Sequence, residues 1–192
     1  FMALQLSICV ANGTPFMGFK SSHCGVLYFD LESTRRRPKS RLQLILGNTE
    51  APEDLYIATK VDGINGQFEE QLRFILKETP EIRLVIVDVF KKIRPPKKGN
   101  ADPYERDYED YGYMKRLADD LNIAIVLIMH TTKMKHPDDP FNELIGSAGV
   151  MGSIDAAIVL KKEKREDTTA KIYVTGRDLE ERCYEAEFDK KI

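Results

Sequence analysis

The stretch that decides the fold is RLVIVDVF, at residues 83–90. Its centre, residues 84–87, is a run of four apolar residues, three of them β-branched, and this pattern is typical of a strand covered on both faces. The run ends at Asp88, so a carboxylate directly follows a buried strand. A second apolar run, AIVLIM at residues 124–129, is followed by His130. Two such strands indicate a mainly parallel sheet inside an α/β fold.

Strand and helix patterns alternate around these two runs. Short apolar strand patterns and longer amphipathic helix patterns follow one another at residues 26–31, 34–46, 55–58 and 68–76. A further helix is predicted over residues 103–121, because Asp102, Pro103 and Glu105 supply an N-cap, a first-turn proline and an acid at the third position. This alternation predicts a twisted, mainly parallel sheet flanked by helices on both faces, with right-handed crossovers.

The two ends of the chain differ from this alternation. Three strand patterns close the sequence at residues 156–160, 171–175 and 184–188, and they predict an antiparallel meander that extends one edge of the sheet. At the other end, Phe1, Leu4 and Ile8 recur at helical spacing with no residue before them to cap a helix. We therefore expect residues 1–192 to form a single domain whose first strand and following turn lie upstream.

Length, charge and cysteine content exclude several classes of protein. A chain of 192 residues with 42% hydrophobic and 31% charged residues has the composition of one globular domain and needs no disulfide or structural metal. No apolar run approaches the roughly 20 residues of a membrane-spanning helix. The net charge of −2 excludes a histone-like coat on nucleic acid. Three cysteines without a CxxC pair fit a reducing compartment, so we expect a cytoplasmic protein.

Polar residues that directly follow strands are the first candidates for a functional site. Glu32, Asp88 and His130 follow three of the predicted strands, and the ligand crevice of an open parallel sheet lies beyond such strand ends. Each alone could simply begin a loop. Together they fit nucleotide hydrolysis, in which one acid holds the magnesium shell, another group orients the attacking water and a third senses the γ-phosphate. A GxxxxGK[ST] phosphate loop is missing from the 192 residues, so we expect it upstream.

Several segments in order resemble the RecA-like P-loop ATPases and, within them, the RepA-like hexameric replicative helicases, an AAA-type group of ATPase domains. Residues 1–19 are similar to the helix that follows the phosphate loop in that family. The other similar segments are VLYFDLE at 26–32, RLVIVDVFKKIRPP at 83–96, IAIVLIMHTTK at 123–133, DDPFNELIGSAGVMGSIDAAIVL at 138–160 and YVTGRDLEER at 173–182. The resemblance covers nearly the whole chain and implies a RecA-like fold.

The resemblance also implies a role for each candidate residue, with ATP and Mg²⁺ as cofactors. Glu32 would be the catalytic base, and Asp88 would hold Mg²⁺ through its water shell. His130 would sense the γ-phosphate, and Arg177 would reach the active site of a neighbouring subunit as an arginine finger. Contacts to single-stranded DNA would come from a loop and its surroundings, through Lys133, Lys135, Gly146, Ser147 and Gly149.

The function that follows is a motor domain that couples ATP hydrolysis to movement on single-stranded DNA. The resemblance implies a homo-oligomer, a hexameric ring with active sites at subunit interfaces and no membrane association. A different class stays open, a RecA-like module that binds nucleotide or DNA and regulates or assembles without unwinding. A third reading is a degenerate fold that serves only as a platform for partners.

Simpler roles also stay open for individual residues. Asp30 or Glu32 could pair with a basic neighbour such as Arg35, and Arg177 could form a surface ion pair with Asp178 or Glu181.

Two further groups of residues carry open alternatives. The basic residues from 35 to 41 could be a solvated helix surface or contact phosphate or another subunit. The tyrosines at helical spacing, Tyr104, Tyr108 and Tyr111, favour packing or a subunit interface over base stacking.

Overall fold

The computed structural model describes residues 1–34, 36–96, 102–131, 139–143, 147–164 and 166–188, without the side chains of residues 147 and 148. The strands in these ranges are β1 (Gly25–Asp30), β2 (Leu55–Ala58), β3 (Ile82–Asp88), β4 (Ala124–Ile128), β5 (Ala156–Lys161), β6 (Thr169–Gly176) and β7 (Leu179–Glu187). The α-helices are α1 (Met2–Ala11), α2 (Arg36–Leu46), α3 (Phe68–Glu78), α4 (Pro103–Leu121) and α5 (Ser147–Ser153).

The described residues form two compact units. Unit 1 consists of those within 1–97 and 116–129, and unit 2 of those within 98–115 and 130–192. The expectation that residues 1–192 form a single domain stays a prediction. None of the described helices is both long enough and apolar enough to cross a membrane.

A parallel sheet of four strands is the centre of unit 1, as the apolar runs predict. The strand order is β2-β1-β3-β4, and every neighbouring pair is parallel. The register aligns Asp30, the last residue of β1, with Asp88, the last residue of β3. The two carboxylates therefore lie side by side at the carboxyl edge of this sheet.

Helices cover both faces of the parallel sheet, which explains why β1 is buried along its whole length. Successive strand residues point to opposite faces. Tyr28 belongs to a buried cluster with Leu4 and Ile8 of α1 on one face. Phe29 contacts the ring of Phe68 in α3 on the other face, with ring centroids 6.1 Å apart. The prediction of helices on both faces is confirmed.

Local signals in the sequence set the bounds of α4. The Asp102 carboxylate accepts a hydrogen bond of 3.0 Å from the backbone N–H of Tyr104, which is the N-cap contact expected from the sequence. The helix ends at Leu121, and Asn122 then adopts a positive φ of 52°. Asparagine is among the few residue types that tolerate this left-handed conformation.

An antiparallel sheet, β5-β6-β7, belongs to unit 2 and confirms the predicted meander. The prediction that this meander extends an edge of the parallel sheet is wrong, because β5, β6 and β7 form a separate sheet among the described residues. Neighbouring antiparallel strands need only short turns to pair their backbone groups with each other. The meander can thus form without the edge of another sheet.

Candidate functional site

Asp88 is held by a hydrogen bond from the neighbouring strand. The phenol of Tyr28 donates to Oδ2 of Asp88 over 2.5 Å, and the backbone N–H of Leu31 donates to the Asp88 carbonyl over 2.7 Å. Burial, followed by the hydrogen bond to Asp88, raises the pKa of the Tyr28 phenol well above its ordinary value. The phenol therefore keeps its proton and acts as the donor. The peptide bond between Asp88 and Val89 is cis.

A second carboxylate, Asp30, lies beside Asp88 in the sheet register and is only 3% exposed. The guanidinium of Arg41, on α2, lies 4.0 Å from Oδ2 of Asp30. A buried carboxylate is costly unless a positive charge or hydrogen bonds compensate it, and Arg41 supplies that charge. The sequence suggested Arg35 as the basic neighbour, and Arg35 lies outside the described residues.

Glu32 lies two residues beyond the end of β1 and is exposed. Asp88 ends the adjacent strand β3, so the parallel sheet brings both carboxylates to its carboxyl edge. This is the arrangement that the strand pattern predicts. The role of Glu32 as catalytic base stays a prediction.

The structure describes His130, but it does not describe most of the residues proposed to contact DNA. His130 is exposed two residues after β4, and it belongs to unit 2, whereas Asp88 and Glu32 belong to unit 1. Its sensor role stays a prediction. The proposed DNA contacts Lys133, Lys135 and Gly146 lie outside the described residues.

Arg177 occupies the turn between β6 and β7 in unit 2 and contacts residues of its own subunit. Its guanidinium donates to the carbonyl of Gly152 over 3.0 Å and lies 3.9 Å from Oδ1 of Asp155. The other carboxylate oxygen of Asp155 lies 3.1 Å from the ammonium of Lys115. The structure thus pairs Arg177 with Asp155, whereas the sequence suggested Asp178 or Glu181 as partners.

The loop that the resemblance implies around Ser147 and Gly149 is a helix in the residues that the structure describes. Residues from Ser147 onward form the short helix α5, which packs on α4 within unit 2. A Cβ added at Gly149 would lie 2.7 Å from the carbonyl oxygen of Tyr104. Glycine at this position therefore allows the two backbones to approach closely. The roles of Ser147 and Gly149 in DNA binding stay predictions.

The packing of α5 on α4 also involves two of the tyrosines that recur at helical spacing in the sequence. Tyr104 and Tyr108 are stacked, with ring centroids 6.4 Å apart, and each is about half exposed. Ser153, at the end of α5, donates its hydroxyl to the carbonyl of Tyr108 over 3.2 Å. Tyr111 is buried. The packing interpretation of this row of tyrosines is therefore supported.

A wide cleft of unit 1 opens at the carboxyl edge of the parallel sheet, and Leu31, which lies between Asp30 and Glu32 in the chain, is one of its wall residues. It has a volume of about 830 Å³ beside β1, β2 and α3, and its walls include Phe29, Phe74, Ile75 and Ile93. Neither Asp88 nor Glu32 lines it. The cleft and the two carboxylates therefore share the carboxyl edge of the parallel sheet.

The donors at the edge can be tested against the needs of Mg²⁺. Proteins usually bind Mg²⁺ through one or two carboxylates, with waters and substrate phosphates completing the shell. Among the described residues, no group of three potential ligand side chains converges on one point. Asp88 fits the sparse arrangement, because Tyr28 contacts only one of its oxygens and an ionised carboxylate accepts on both.

Three features of the site could not be assigned from the sequence. The contacts of Tyr28 and Arg41 and the buried position of Asp30 become visible only once strand register and helix packing are known. The nearest signal is that Asp30 ends an apolar run in which a polar residue is unusual.

A family model described as an AAA domain matches residues 1–136, which is more than half of the sequence. The chain belongs to this AAA domain family. No curated protein sequence gives a significant match. The recognition of an AAA-type, RecA-like P-loop ATPase is confirmed at the level of family and fold.

Solved structures with the same fold include an ATPase domain, a replicative helicase and a recombinase. The ATPase domain is 16% identical, with a TM-score of 0.70 over 88% of this chain and 72% of that one. A DnaB-like replicative helicase, studied with its primase interactions, is 15% identical, with a TM-score of 0.74 over 98% of this chain. The RadB recombinase is 14% identical, with a TM-score of 0.60 over 98% of this chain and 81% of that one.

These likenesses establish a RecA-like fold for the chain, because identities of 14–16% carry the fold alone. The chain spans about half of the DnaB-like helicase, 53% of its length.

Proposed function

We propose that this chain is the ATP-hydrolysing motor domain of a RepA-like replicative DNA helicase that acts on single-stranded DNA in the cytoplasm. The observation that carries the proposal is the position of Asp88, held by Tyr28 at the carboxyl edge of a parallel sheet in an AAA-family chain. A metal-shell acid is needed at this edge for phosphoryl transfer. The likeness to the DnaB-like replicative helicase supports a helicase over other ATPases.

The proposed chemistry is hydrolysis of the terminal phosphoanhydride. Bound Mg²⁺–ATP supplies the phosphoryl group that is transferred to water. Asp88 accepts hydrogen bonds from water in the metal shell. Glu32 orients the attacking water and accepts its proton as the new P–O bond forms. The bond between the γ-phosphorus and the leaving ADP breaks at the same time. His130 responds to the presence of the γ-phosphate.

Arg177 acts in this proposal from a neighbouring subunit of a hexameric ring. Its side chain is 56% exposed, and its contacts with Gly152 and Asp155 hold it at the turn between β6 and β7. An arginine donated in trans would stabilise the charge that develops on the transferred phosphoryl group. Single-stranded DNA would contact Lys133, Lys135, Gly146, Ser147 and Gly149.

The first experiment is ATP turnover by the intact protein, with and without single-stranded DNA. Asp88→Ala and Glu32→Gln should each lower turnover by about 100-fold or more, since each removes a group that acts in the transition state. Glu81→Gln is the matched control, because Glu81 is an exposed carboxylate just before β3, at the opposite end of the sheet. It should retain parental turnover. Unchanged turnover in Glu32→Gln would remove Glu32 from the mechanism.

A second candidate function is a nucleotide- and DNA-binding module that regulates or assembles without unwinding. The likeness to the RadB recombinase favours this candidate, because a recombinase has the same fold. Displacement of a labelled strand from a forked duplex separates the two functions. ATP-dependent displacement supports the helicase, and DNA-stimulated turnover without displacement supports the module.

A further inference from the structure

We infer that Tyr28 is a positioning residue that fixes the Asp88 carboxylate for a divalent cation and its water shell. The inference rests on the proposed function, because it assigns a second residue to the same edge. Tyr28 acts only through Asp88.

The surroundings of Tyr28 hold its ring in place. The residue is 3% exposed, and its ring belongs to the buried cluster that includes Leu4, Ile8 and Val10 of α1. Tyr28 lies opposite Ile86 in the register of β1 and β3, two residues before the end of each strand. A ring clamped by packing presents its hydroxyl at a fixed point. The orientation of the Asp88 carboxylate is therefore set by the core beneath it.

The hydrogen bond also determines which part of the carboxylate is engaged. A phenol that donates to an ionised carboxylate makes a short and strong bond, of about 2.5–2.7 Å. Because Tyr28 uses Oδ2, the remaining acceptor capacity of Asp88 lies mainly on Oδ1. Asp30, which lies beside Asp88 in the register, has a different partner, the guanidinium of Arg41.

A second tyrosine–carboxylate pair in the same sheet provides an internal control. Tyr56 of β2 donates its phenol to Glu81, just before β3, and this pair is the exposed counterpart of the buried one. It uses the same donor and acceptor types at the amino end of the sheet. Removal of its hydroxyl should not affect an ion bound at the carboxyl edge.

The test compares Tyr28→Phe with Tyr56→Phe in the intact protein. The probe is Mn²⁺, titrated by electron paramagnetic resonance in the presence of a non-hydrolysable ATP analogue. Loss of a residue that orients a metal-binding group typically weakens metal affinity by about 10- to 100-fold, so Tyr28→Phe should weaken Mn²⁺ binding at least tenfold. Affinity for the analogue without metal should stay parental. Tyr56→Phe should match the parent in both measurements.

An Asp88→Ala background distinguishes positioning from a general structural role. If Tyr28 acts through Asp88, adding Tyr28→Phe to Asp88→Ala should weaken Mn²⁺ binding no further. Three results would each overturn the inference. They are an equal loss of Mn²⁺ affinity in both backgrounds, parental Mn²⁺ affinity in Tyr28→Phe, and a Tyr28→Phe protein that does not fold.

The same titrations separate this inference from the proposed function. A parent protein that binds Mn²⁺ through Asp88 but turns over no ATP would contradict the helicase proposal. The Mn²⁺ affinity of Tyr28→Phe would then still decide whether Tyr28 positions Asp88. A parent that binds no Mn²⁺ with the analogue would overturn both.

Discussion

The parallel sheet of unit 1 and the meander of unit 2 use burial in opposite ways. β1 is buried throughout and β3 nearly so, whereas β5 alternates between buried and exposed residues and β7 is exposed over most of its length. A strand covered on both faces has room for polar groups only at its ends. Asp30 and Asp88 lie at such ends, while in unit 2 the contacts among Lys115, Asp155 and Arg177 involve partly exposed side chains. Unit 1 thus places the carboxylates of Asp30 and Asp88 together at one edge of its sheet.

The largest expected effect tests this difference in burial between the two sheets. Ile86→Ala in β3 removes a fully buried side chain and should lower the free energy of unfolding by about 2–5 kcal/mol. Ile158→Ala in β5 removes a side chain that is 59% exposed and should change it by no more than about 0.5 kcal/mol. Urea unfolding followed by circular dichroism measures both. Equal losses would mean that the two sheets do not differ in this way.

A smaller effect is expected where α5 packs on α4. Gly149→Ala should destabilise the protein by about 1–3 kcal/mol, because the new Cβ would lie 2.7 Å from the Tyr104 carbonyl oxygen. Gly152→Ala is the matched control, since its Cβ would lie at an ordinary 3.7 Å from the Tyr108 ring. It should be neutral or stabilising by up to about 1 kcal/mol. Thermal unfolding of both variants decides whether close packing explains the first glycine.

The surface contacts of unit 2 should contribute less again. Asp155→Asn removes the charge that faces both Lys115 and Arg177, and all three side chains are at least partly exposed. Exposed ion pairs contribute about 0–1 kcal/mol, so the loss in unfolding free energy should stay below about 1 kcal/mol. The difference from the parent should shrink in 1 M salt, where the screening length is about 3 Å. A loss that is insensitive to salt would contradict a surface ion pair.

The smallest effect concerns the exposed pair of Tyr56 and Glu81. The hydrogen bond from Tyr56 lowers the pKa of the Glu81 carboxyl. A lowered pKa in the folded state stabilises the protein above the ordinary glutamate pKa, and this stabilisation is lost as the pH falls through the folded value. The melting temperature of Tyr56→Phe should therefore lie slightly below that of the parent at pH 7. The two proteins should converge on acidification, and a gap that widens in acid would reverse the sign.

The sequence predicts the buried elements well, because their patterns are local. β2 and α4 have the predicted bounds, and β3 extends only a residue or two beyond its apolar run at residues 84–87. The pattern does not predict the first half of β7, since Leu179–Glu187 carries charged residues where a strand normally alternates. The glycines of α5 indicate a loop. The close approach of α4 explains why this helix has a glycine at Gly149, where a Cβ would meet the Tyr104 carbonyl oxygen.

The sequence also predicts those parts of the functional site that depend on local patterns. Asp88 and Glu32 follow apolar strands, so their common edge follows from the strand pattern alone. Tyr28 and Arg41 cannot be identified in that way, because their contacts depend on register between strands and on the packing of α2. Periodicity assigns residues to faces, but it does not say which residue on one strand lies beside which on the next.

The bond between Tyr28 and Asp88 has a further consequence for how the chain selects its alignment during folding. Strands that are apolar on both faces can slide past each other by two residues and still bury comparable hydrophobic area. In the native alignment, the phenol of Tyr28 meets the carboxylate at the end of β3. In an alignment shifted by two residues, the carboxylate would lose that donor and the hydroxyl of Tyr28, a residue only 3% exposed, would lose its acceptor, which carries a free-energy penalty. One polar contact thus discriminates against shifted pairings that hydrophobic burial alone would tolerate.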